Sequence, residues 1–439
     1  MPARAGGEAG RLPEELARRL GTTDAVVVGL SAMIGAGVFA AFAPAAGAAG
    51  SWLLLALAIA AVVAYCNATS SARLAARHPE SGGTYVYGRR RLGPLWGYLA
   101  GWGFTVGKTA SCAAMALTFG AYAAPGLERP LAIGAVAALT SLNLFGVRRS
   151  AGVARVAVAF VLVVLSAVVV AGLAGESKIT FGWFAYAPAP EPFLHSPFTA
   201  DGVDGWGVLQ GAGLLFFAFA GYARIATLGE EVRDPARTIP RAVGIALGVT
   251  LVVYTLVAAT ALHVLGPVPL AMSPAPLSDV VRESGAGWLV PAVGAGAAVA
   301  ALGALLALLL GVSRTVLAMA RERDLPAALA VVDPVRQVPR RAELAVGGAV
   351  IVLLLVADLR GAIGFSSFGV LVYYAIANAA ALTLDRDEGA PPRPVPILGL
   401  GLCLLLAATL PLSSVLAGLA VFAVGLLLWV VRHRGLGAS

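Results

Sequence analysis

Ile34-Gly35-Ala36-Gly37-Val38-Phe39 lies in the middle of the first long apolar stretch of this 439-residue chain, residues 24–46. Two glycines one residue apart weaken a helix, because glycine loses more conformational freedom on ordering than any other residue. Within a membrane, backbone groups freed by such an interruption are tolerated only where they line an enclosed cavity. The stretch therefore predicts a broken transmembrane helix and, at the break, a binding site for a small zwitterion.

The composition is that of a polytopic membrane protein. The chain is 59% hydrophobic and only 12% charged, with a mean hydropathy of +0.86, whereas soluble domains contain about 25% charged residues. A membrane-spanning helix needs about 20 mainly apolar residues, and twelve such windows occur. They cover residues 24–46, 51–75, 95–124, 130–146, 151–174, 206–228, 240–265, 287–321, 342–359, 363–384, 396–411 and 413–432.

The basic residues predict the orientation of the chain. Residues 1–22 contain four arginines and no apolar core of the signal-peptide type, so we expect a cytosolic tail. With this tail inside, most loop arginines fall on the cytosolic side, as the positive-inside rule requires. The net charge of +8 is thereby explained without a nucleic-acid partner. We expect an inner (plasma) membrane protein with both termini cytosolic, the C-terminal tail being residues 433–439.

The domain organisation follows from the same windows. Residues 23–384 are expected to form a transport core of ten spans, residues 385–395 a cytosolic loop, and residues 396–432 the last two spans. The long outer loop 175–205 is rich in proline and aromatic residues and is a candidate lid. The polar stretch 78–87 is expected to lie along the inner face.

No constellation for catalysis or metal binding is present in the sequence. The three cysteines and four histidines have neither disulfide nor metal-ligand spacing. Gly107-Lys108-Thr109 resembles the end of a phosphate-binding loop, but Trp102 stands where that motif needs its first glycine, and no strand precedes it. With no nucleophile elbow and no paired carboxylates in the spans, we expect neither an enzyme nor a cofactor.

A second interrupted segment follows five spans after the first. It reads Phe216-Phe217-Ala218-Phe219-Ala220-Gly221-Tyr222-Ala223-Arg224. A single glycine in a span is explained equally well by close helix packing. Interruptions at matching positions, in the first and sixth spans, instead favour a five-plus-five inverted repeat with its binding site at the bilayer midplane.

Together with three further motifs, these residues resemble the amino acid-polyamine-organocation permeases over residues 24–384. The further motifs are Pro79-Glu80-Ser81-Gly82-Gly83-Thr84-Tyr85, Glu230-Glu231-Val232-Arg233-Asp234-Pro235-Ala236-Arg237, and Ser313-Arg314 with Ala318-Met319-Ala320-Arg321 and Leu325-Pro326. The resemblance implies an all-α fold of twelve transmembrane helices, with an inverted repeat and broken helices one and six.

The resemblance also implies where an amino acid substrate is held, between spans one, three, six, eight and ten. Its carboxylate would lie on the backbone amides at the start of the outer half-helix, because helix N-termini bind anions. Its amine would meet backbone carbonyls at both breaks, and Phe217 would act as an aromatic gate. The implied substrate-binding residues are Met33, Ile34, Gly35, Ala36, Gly37, Phe217, Ala220 and Gly221, with Val106, Ser366, Ser367 and Tyr374 as candidates for the side-chain pocket.

The sequence departs from the family in its coupling residues. Many proton-coupled members carry a lysine in the fifth span, but residues 156–174 contain no ionisable side chain. Lys108 instead lies roughly 18 Å along the third span, near mid-membrane, where an ionisable residue indicates function by default; the alternative is a structural lysine that caps a carbonyl end. Arg224 is a candidate gate that pairs with Glu230 or Glu231, or else a basic side chain reaching the cytosol.

The expected function is secondary active transport of an amino acid by proton symport or by exchange, through alternating access. Spans three, eight and ten contain no carboxylate at membrane depth, so a cationic substrate would be left unpaired in a low dielectric. Neutral amino acids are therefore favoured. The alternatives are an acidic or cationic amino acid or a polyamine as substrate, or a membrane sensor that does not transport. The expected partners are the substrate and the lipid bilayer; the oligomeric state stays open.

Overall fold

The computed structural model describes residues 21–78, 82–146, 151–175, 203–226, 232–333 and 335–436. These residues form α-helices joined by short turns and contain no β-strand. In chain order the helices are α1 (Thr22–Met33), α2 (Ala36–Ala40), α3 (Phe42–Ala49), α4 (Leu53–Arg77), α5 (Thr84–Arg91), α6 (Pro94–Ala123), α7 (Glu128–Leu144), α8 (Ala151–Ala174), α9 (Gly205–Phe219), α10 (Ala223–Ala226), α11 (Pro235–Leu265), α12 (Pro267–Met272), α13 (Pro276–Glu283), α14 (Val290–Arg321), α15 (Arg340–Val356), α16 (Leu359–Ala381), α17 (Pro394–Thr409) and α18 (Leu412–Leu436).

The predicted all-helical membrane fold is confirmed. Eight helical segments of the described chain are long and apolar enough to cross a membrane. Helices also occupy the other four predicted positions: α6 is long enough but less apolar, and α7, α15 and α17 have 17, 17 and 16 residues. The count of twelve crossings stays a prediction.

The helix contacts have the symmetry of a repeat. Helix α4 of span two packs on α9 of span six, and α11 of span seven packs on α1 of span one. Likewise α6 (span three) packs on α16 (span ten), and α14 (span eight) packs on α8 (span five). Adding five to each span number, and counting from one again after ten, converts each of these contacts into its counterpart: spans two and six become seven and one, and spans three and ten become eight and five. Because five is odd, the second set runs in the opposite direction, which is the arrangement of an inverted repeat.

Burial separates the core of the bundle from its lipid-facing edge. Helix α16 has the highest buried share among the candidate spans and α18 the lowest. Helix α16 accordingly carries polar side chains in its interior, among them Ser366, Ser367 and Asn378, all of them buried. Two of them join α16 to neighbouring spans: Ser366 bonds Ser111 of span three, and Asn378 bonds Asn67 and Ser70 of span two.

Several segments differ from the sequence-based expectation. The first span extends to Ala49 rather than ending at residue 46. The predicted outer loop between spans seven and eight contains two short helices, α12 and α13, each begun by a proline in its first turn. Most of the candidate lid, residues 176–202, lies outside the described residues, as do Glu230 and Glu231.

Candidate functional site

The first span is interrupted where the glycines predicted it. Helix α1 ends at Met33, where the Ile34 amide donates to the Leu30 carbonyl at 2.7 Å, and α2 begins at Ala36. Ala41 keeps right-handed helical angles between α2 and α3, so the outer half continues to Ala49. The first amides of a helix have no carbonyl partner within it. Ala36 and Gly37 stand in that position.

The sixth span is interrupted at the matching place. Helix α9 ends at Phe219, Ala220–Tyr222 form one turn of 3-10 helix, and α10 begins at Ala223. A tighter turn inside a helical span changes the direction of its backbone groups and is common at functional hinges. The predicted pair of broken helices is therefore present.

The two breaks contact each other through their glycines. A Cβ atom on Gly37 would lie 2.7 Å from the Cα atom of Ala218 in span six. A Cβ atom on Gly221 would overlap the Ala32 carbonyl and lie 2.7 Å from the Met33 nitrogen in span one. Each glycine thus packs against backbone of the other break, an approach that only a residue without a side chain permits.

Tyr254 of α11 joins the two breaks and was missed from the sequence. Its buried hydroxyl lies 2.5 Å from the Met33 carbonyl and 3.0 Å from the Ala218 carbonyl. The Met33 carbonyl, expected to receive the substrate amine, therefore already has a protein partner on one side. A tyrosine in an apolar span needs a partner for its hydroxyl, and that requirement was the available signal.

Lys108 reaches the second break. Its side chain is buried, 7% exposed, and its Nζ atom lies 3.5 Å from the carbonyl oxygen of Ala220. Within the described part of the chain, Lys108 forms no ion pair with a carboxylate. Span three thus places the Lys108 side chain at the carbonyl that the resemblance assigned to the substrate amine.

A pair of serine hydroxyls joins spans three and ten close to Lys108. The Ser111 hydroxyl, nearly one helical turn beyond Lys108 on α6, lies 2.5 Å from the Ser366 hydroxyl of α16. Ser366, a candidate pocket residue, therefore binds protein in this conformation. Val106 is half-buried, and Ser367 is fully buried.

The aromatic residues of span six are buried, which fits both a gate and a core-packing role, so the gate stays a prediction. Phe217 is 8% exposed, and the neighbouring Phe216 ring packs edge-on against Tyr374 at 5.8 Å between centroids. Tyr222 packs against the same Tyr374 ring at 5.1 Å. Arg224 has an exposed side chain on α10. Its proposed partners Glu230 and Glu231 are outside the described residues, so the gating pair stays a prediction.

On the outer side, Tyr122 of α6 forms hydrogen bonds with α2 and α13. Its hydroxyl donates to the Phe39 carbonyl of α2 at 3.0 Å and accepts the Leu277 amide of α13 at 3.1 Å. The Tyr122 and Phe39 rings also pack edge to face. The outer half of span one is thereby fastened to span three and to the short helix α13.

On the inner side, α5 is fastened to two other loops. The Tyr85 hydroxyl donates to Asp324 at 2.7 Å, and Arg89 pairs with the same carboxylate at 3.0 Å. Burial and the bonded Asp324 carboxylate raise the pKa of Tyr85 well above its usual range. Arg91 binds Glu388 through two nitrogens at 2.6 and 2.8 Å and lowers the pKa of Glu388 to about 2. These bonds link α5 to the segments that follow α14 and α16.

Known proteins match this chain along nearly its whole length. Residues 20–431 match the amino acid permease family. An uncharacterized transporter of Mycobacterium tuberculosis is 63% identical over 96% of this chain and 93% of that protein. A branched-chain amino acid permease of Bacillus subtilis is 25% identical over 96% of this chain and 94% of that protein. A vacuolar cationic amino acid transporter of Arabidopsis thaliana is 29% identical over 88% of this chain and 66% of that protein.

Proposed function

This chain belongs to the amino acid permease family, and from that premise we propose that it transports neutral amino acids by proton symport or by exchange. The substrate carboxylate binds the amides of Ala36 and Gly37, and its ammonium binds carbonyls at the two breaks. Alternating access moves the broken spans one and six against spans three and eight. The bilayer is the inner (plasma) membrane, and both termini are cytosolic, in keeping with the arginines of the cytosolic loops.

The observation that supports coupling is the contact between Lys108 and the Ala220 carbonyl. A substrate ammonium at this carbonyl would face the Lys108 ammonium across a few ångströms. Two like charges 4 Å apart repel by about 4 kcal/mol at an effective dielectric constant near 20. Occupancy of the site and protonation of Lys108 are therefore linked with a negative sign: each lowers the affinity for the other by the same factor, so substrate binding favours release of the Lys108 proton.

The same contact supports a neutral substrate. A cationic amino acid or a polyamine would bring a second positive charge next to Lys108, and no carboxylate pairs with Lys108 in the described part of the chain. The relative from Bacillus subtilis is named for branched-chain amino acids, which are neutral, and the one from Arabidopsis thaliana for cationic ones. An acidic amino acid is the second candidate, because its side chain could pair with Lys108.

Uptake by purified protein in liposomes tests this proposal. A panel of labelled neutral, acidic and cationic amino acids, with and without a pH gradient, should show accumulation of neutral members only. Lys108→Met should lose the response to the gradient and retain exchange. Lys178→Met, at the other lysine of the chain, is the control and should behave as wild type.

Three outcomes contradict parts of the proposal. Unchanged gradient-driven uptake in Lys108→Met would remove Lys108 from coupling. Preferred uptake of arginine or lysine would overturn the neutral substrate class. Binding of an amino acid without uptake or exchange of any member of the panel would indicate a sensor.

A further inference from the structure

Glu343 is a buried carboxyl that the proposed transport mechanism does not use. It lies in the first turn of α15, two residues after the pair Arg340-Arg341, a position at which a glutamate is usually solvated. Its side chain is nevertheless fully buried. Neither arginine pairs with it, because Arg340 binds Asp333 at 3.5 Å and Arg341 donates to the Ala328 carbonyl at 3.4 Å.

The hydrogen-bond geometry is compatible with a proton on this carboxyl. The Ser313 hydroxyl of α14 lies 2.7 Å from Glu343 Oε1 and 3.0 Å from the Leu310 carbonyl oxygen. A hydroxyl has one hydrogen, and a carbonyl only accepts. Both contacts are therefore satisfied when Ser313 donates to Leu310 and Glu343 donates to Ser313. In this arrangement Glu343 is a neutral carboxylic acid.

The other carboxyl oxygen supports the same protonation state. Glu343 Oε2 is buried and, among the described residues, has no hydrogen-bond partner within bonding distance. An ionised carboxylate with one oxygen unpaired in a low dielectric is strongly disfavoured, whereas a neutral acid tolerates the position much better. Burial, the Ser313 contacts and the unpaired oxygen thus agree on a protonated side chain.

The surroundings also contain groups that can stabilise the ionised form. The elements packed on α15 are α6, α7, α14 and the turn Ala327–Ala330. On α7, the Asn143 amide faces the carboxyl, and its Nδ2 atom, a donor, has no partner within bonding distance. Arg314 of α14 is exposed, one residue after Ser313. The titratable side chains of α6 include Lys108 and Cys112, both buried.

We propose that Glu343 is a proton-binding site of the transport cycle, separate from the substrate site. It holds a proton when its carboxyl contacts Ser313, as in this structure. It releases the proton when α15 and α14 shift so that Asn143 donates to the carboxylate. The proposal rests on the proposed proton-coupled function, and it places one coupling group between spans four, eight and nine, next to the helix that carries Lys108.

Infrared spectroscopy of purified protein in lipid nanodiscs tests the protonation directly and needs no transport. The C=O stretch of a neutral carboxylic acid should be present in wild type and reduced in Glu343→Gln. Raising the pH should remove that component in wild type. The control Glu283→Gln, an exposed glutamate of α13, should leave it unchanged. A spectrum that is identical in Glu343→Gln, or a Glu343 component that persists at every pH at which the protein transports, would overturn the proposal.

Transport assays then test the role of this proton. Glu343→Gln keeps the shape of the neutral acid, so it should retain exchange while accumulation driven by a pH gradient falls at least tenfold. Ser313→Ala removes the hydrogen-bond partner and should shift the pH profile of uptake without abolishing exchange. Wild-type accumulation in Glu343→Gln would contradict the proposal. If wild type moves no amino acid, the proposed function fails while the infrared result still decides the state of Glu343.

Discussion

The breaks of spans one and six are equivalent in packing but differ in charge. Each places a glycine against the backbone of the other, and the Tyr254 hydroxyl contacts a carbonyl on both sides. Among the described residues, a basic side chain lies only at the sixth-span break, where Lys108 Nζ contacts the Ala220 carbonyl. The shared packing fits the two breaks together, and Lys108 makes their electrostatic surroundings differ. The inverted repeat thus relates the two breaks in their packing, and Lys108 makes them differ in charge.

The largest effect is expected at Gly221. In Gly221→Ala the new methyl group meets the Ala32 carbonyl and the Met33 nitrogen, and backbone atoms cannot rotate away as a side chain can. We expect a destabilisation of about 3 kcal/mol or more, with loss of uptake. Size-exclusion chromatography and thermal unfolding in detergent measure it. Gly248→Ala is the control, because Gly248 has open space around it and alanine should stabilise the helix by about 0.5–1 kcal/mol.

The equivalent change in span one should be damaging but smaller. In Gly37→Ala the methyl group meets Cα and Cβ of Ala218 at 2.7 Å, a smaller overlap than that of a Gly221 methyl group with the Ala32 carbonyl. A destabilisation of about 1–3 kcal/mol is expected, with reduced uptake, measured as for Gly221→Ala. A Gly37 variant more damaging than the Gly221 variant would mean that the two breaks are not packed as equivalents.

Tyr254→Phe should affect both breaks together. It removes one hydroxyl and leaves the Met33 and Ala218 carbonyls without that buried donor, which costs about 1–3 kcal/mol. The melting temperature should fall and exchange should slow, with the pH response preserved because Lys108 is untouched. Tyr65→Phe, at a tyrosine of α4 that is 56% exposed, serves as control. A lost pH response in Tyr254→Phe would show that the asymmetry does not reside in Lys108 alone.

Ser111→Ala should give the smallest effect and act on the sixth-span side only. It breaks the contact to Ser366, for a loss of about 0.5–1.5 kcal/mol. Because Ser111 positions the helix segment that carries Lys108, the pH at half-maximal uptake should shift while the melting temperature barely changes. An unaltered pH profile would limit the Ser111 and Ser366 pair to helix packing.

The sequence predicted the breaks but not how they fit together. Paired glycines and a glycine after aromatics locate the interruptions, because helix weakness is a local property. The depth of Lys108 follows from its distance along an apolar window. The contacts of Gly37 with Ala218 and of Tyr254 with both carbonyls depend on how distant helices pack, which no local pattern encodes. Glu343 was overlooked because its neighbours Arg340 and Arg341 indicate the membrane surface, whereas tertiary packing buries it.

The reciprocal glycine contacts also have a consequence for biosynthesis. Gly37 and its partner Ala218 are about 180 residues apart. At synthesis rates of about 5–20 residues per second, the first span waits roughly 10–40 s before its partner leaves the ribosome. During that interval the backbone at Gly37 lacks the Ala218 backbone against which it packs in the folded protein. Insertion of this protein should therefore depend on protection of the broken first helix at the translocation machinery. Gly37 variants can be lost at this stage, before spans one and six assemble.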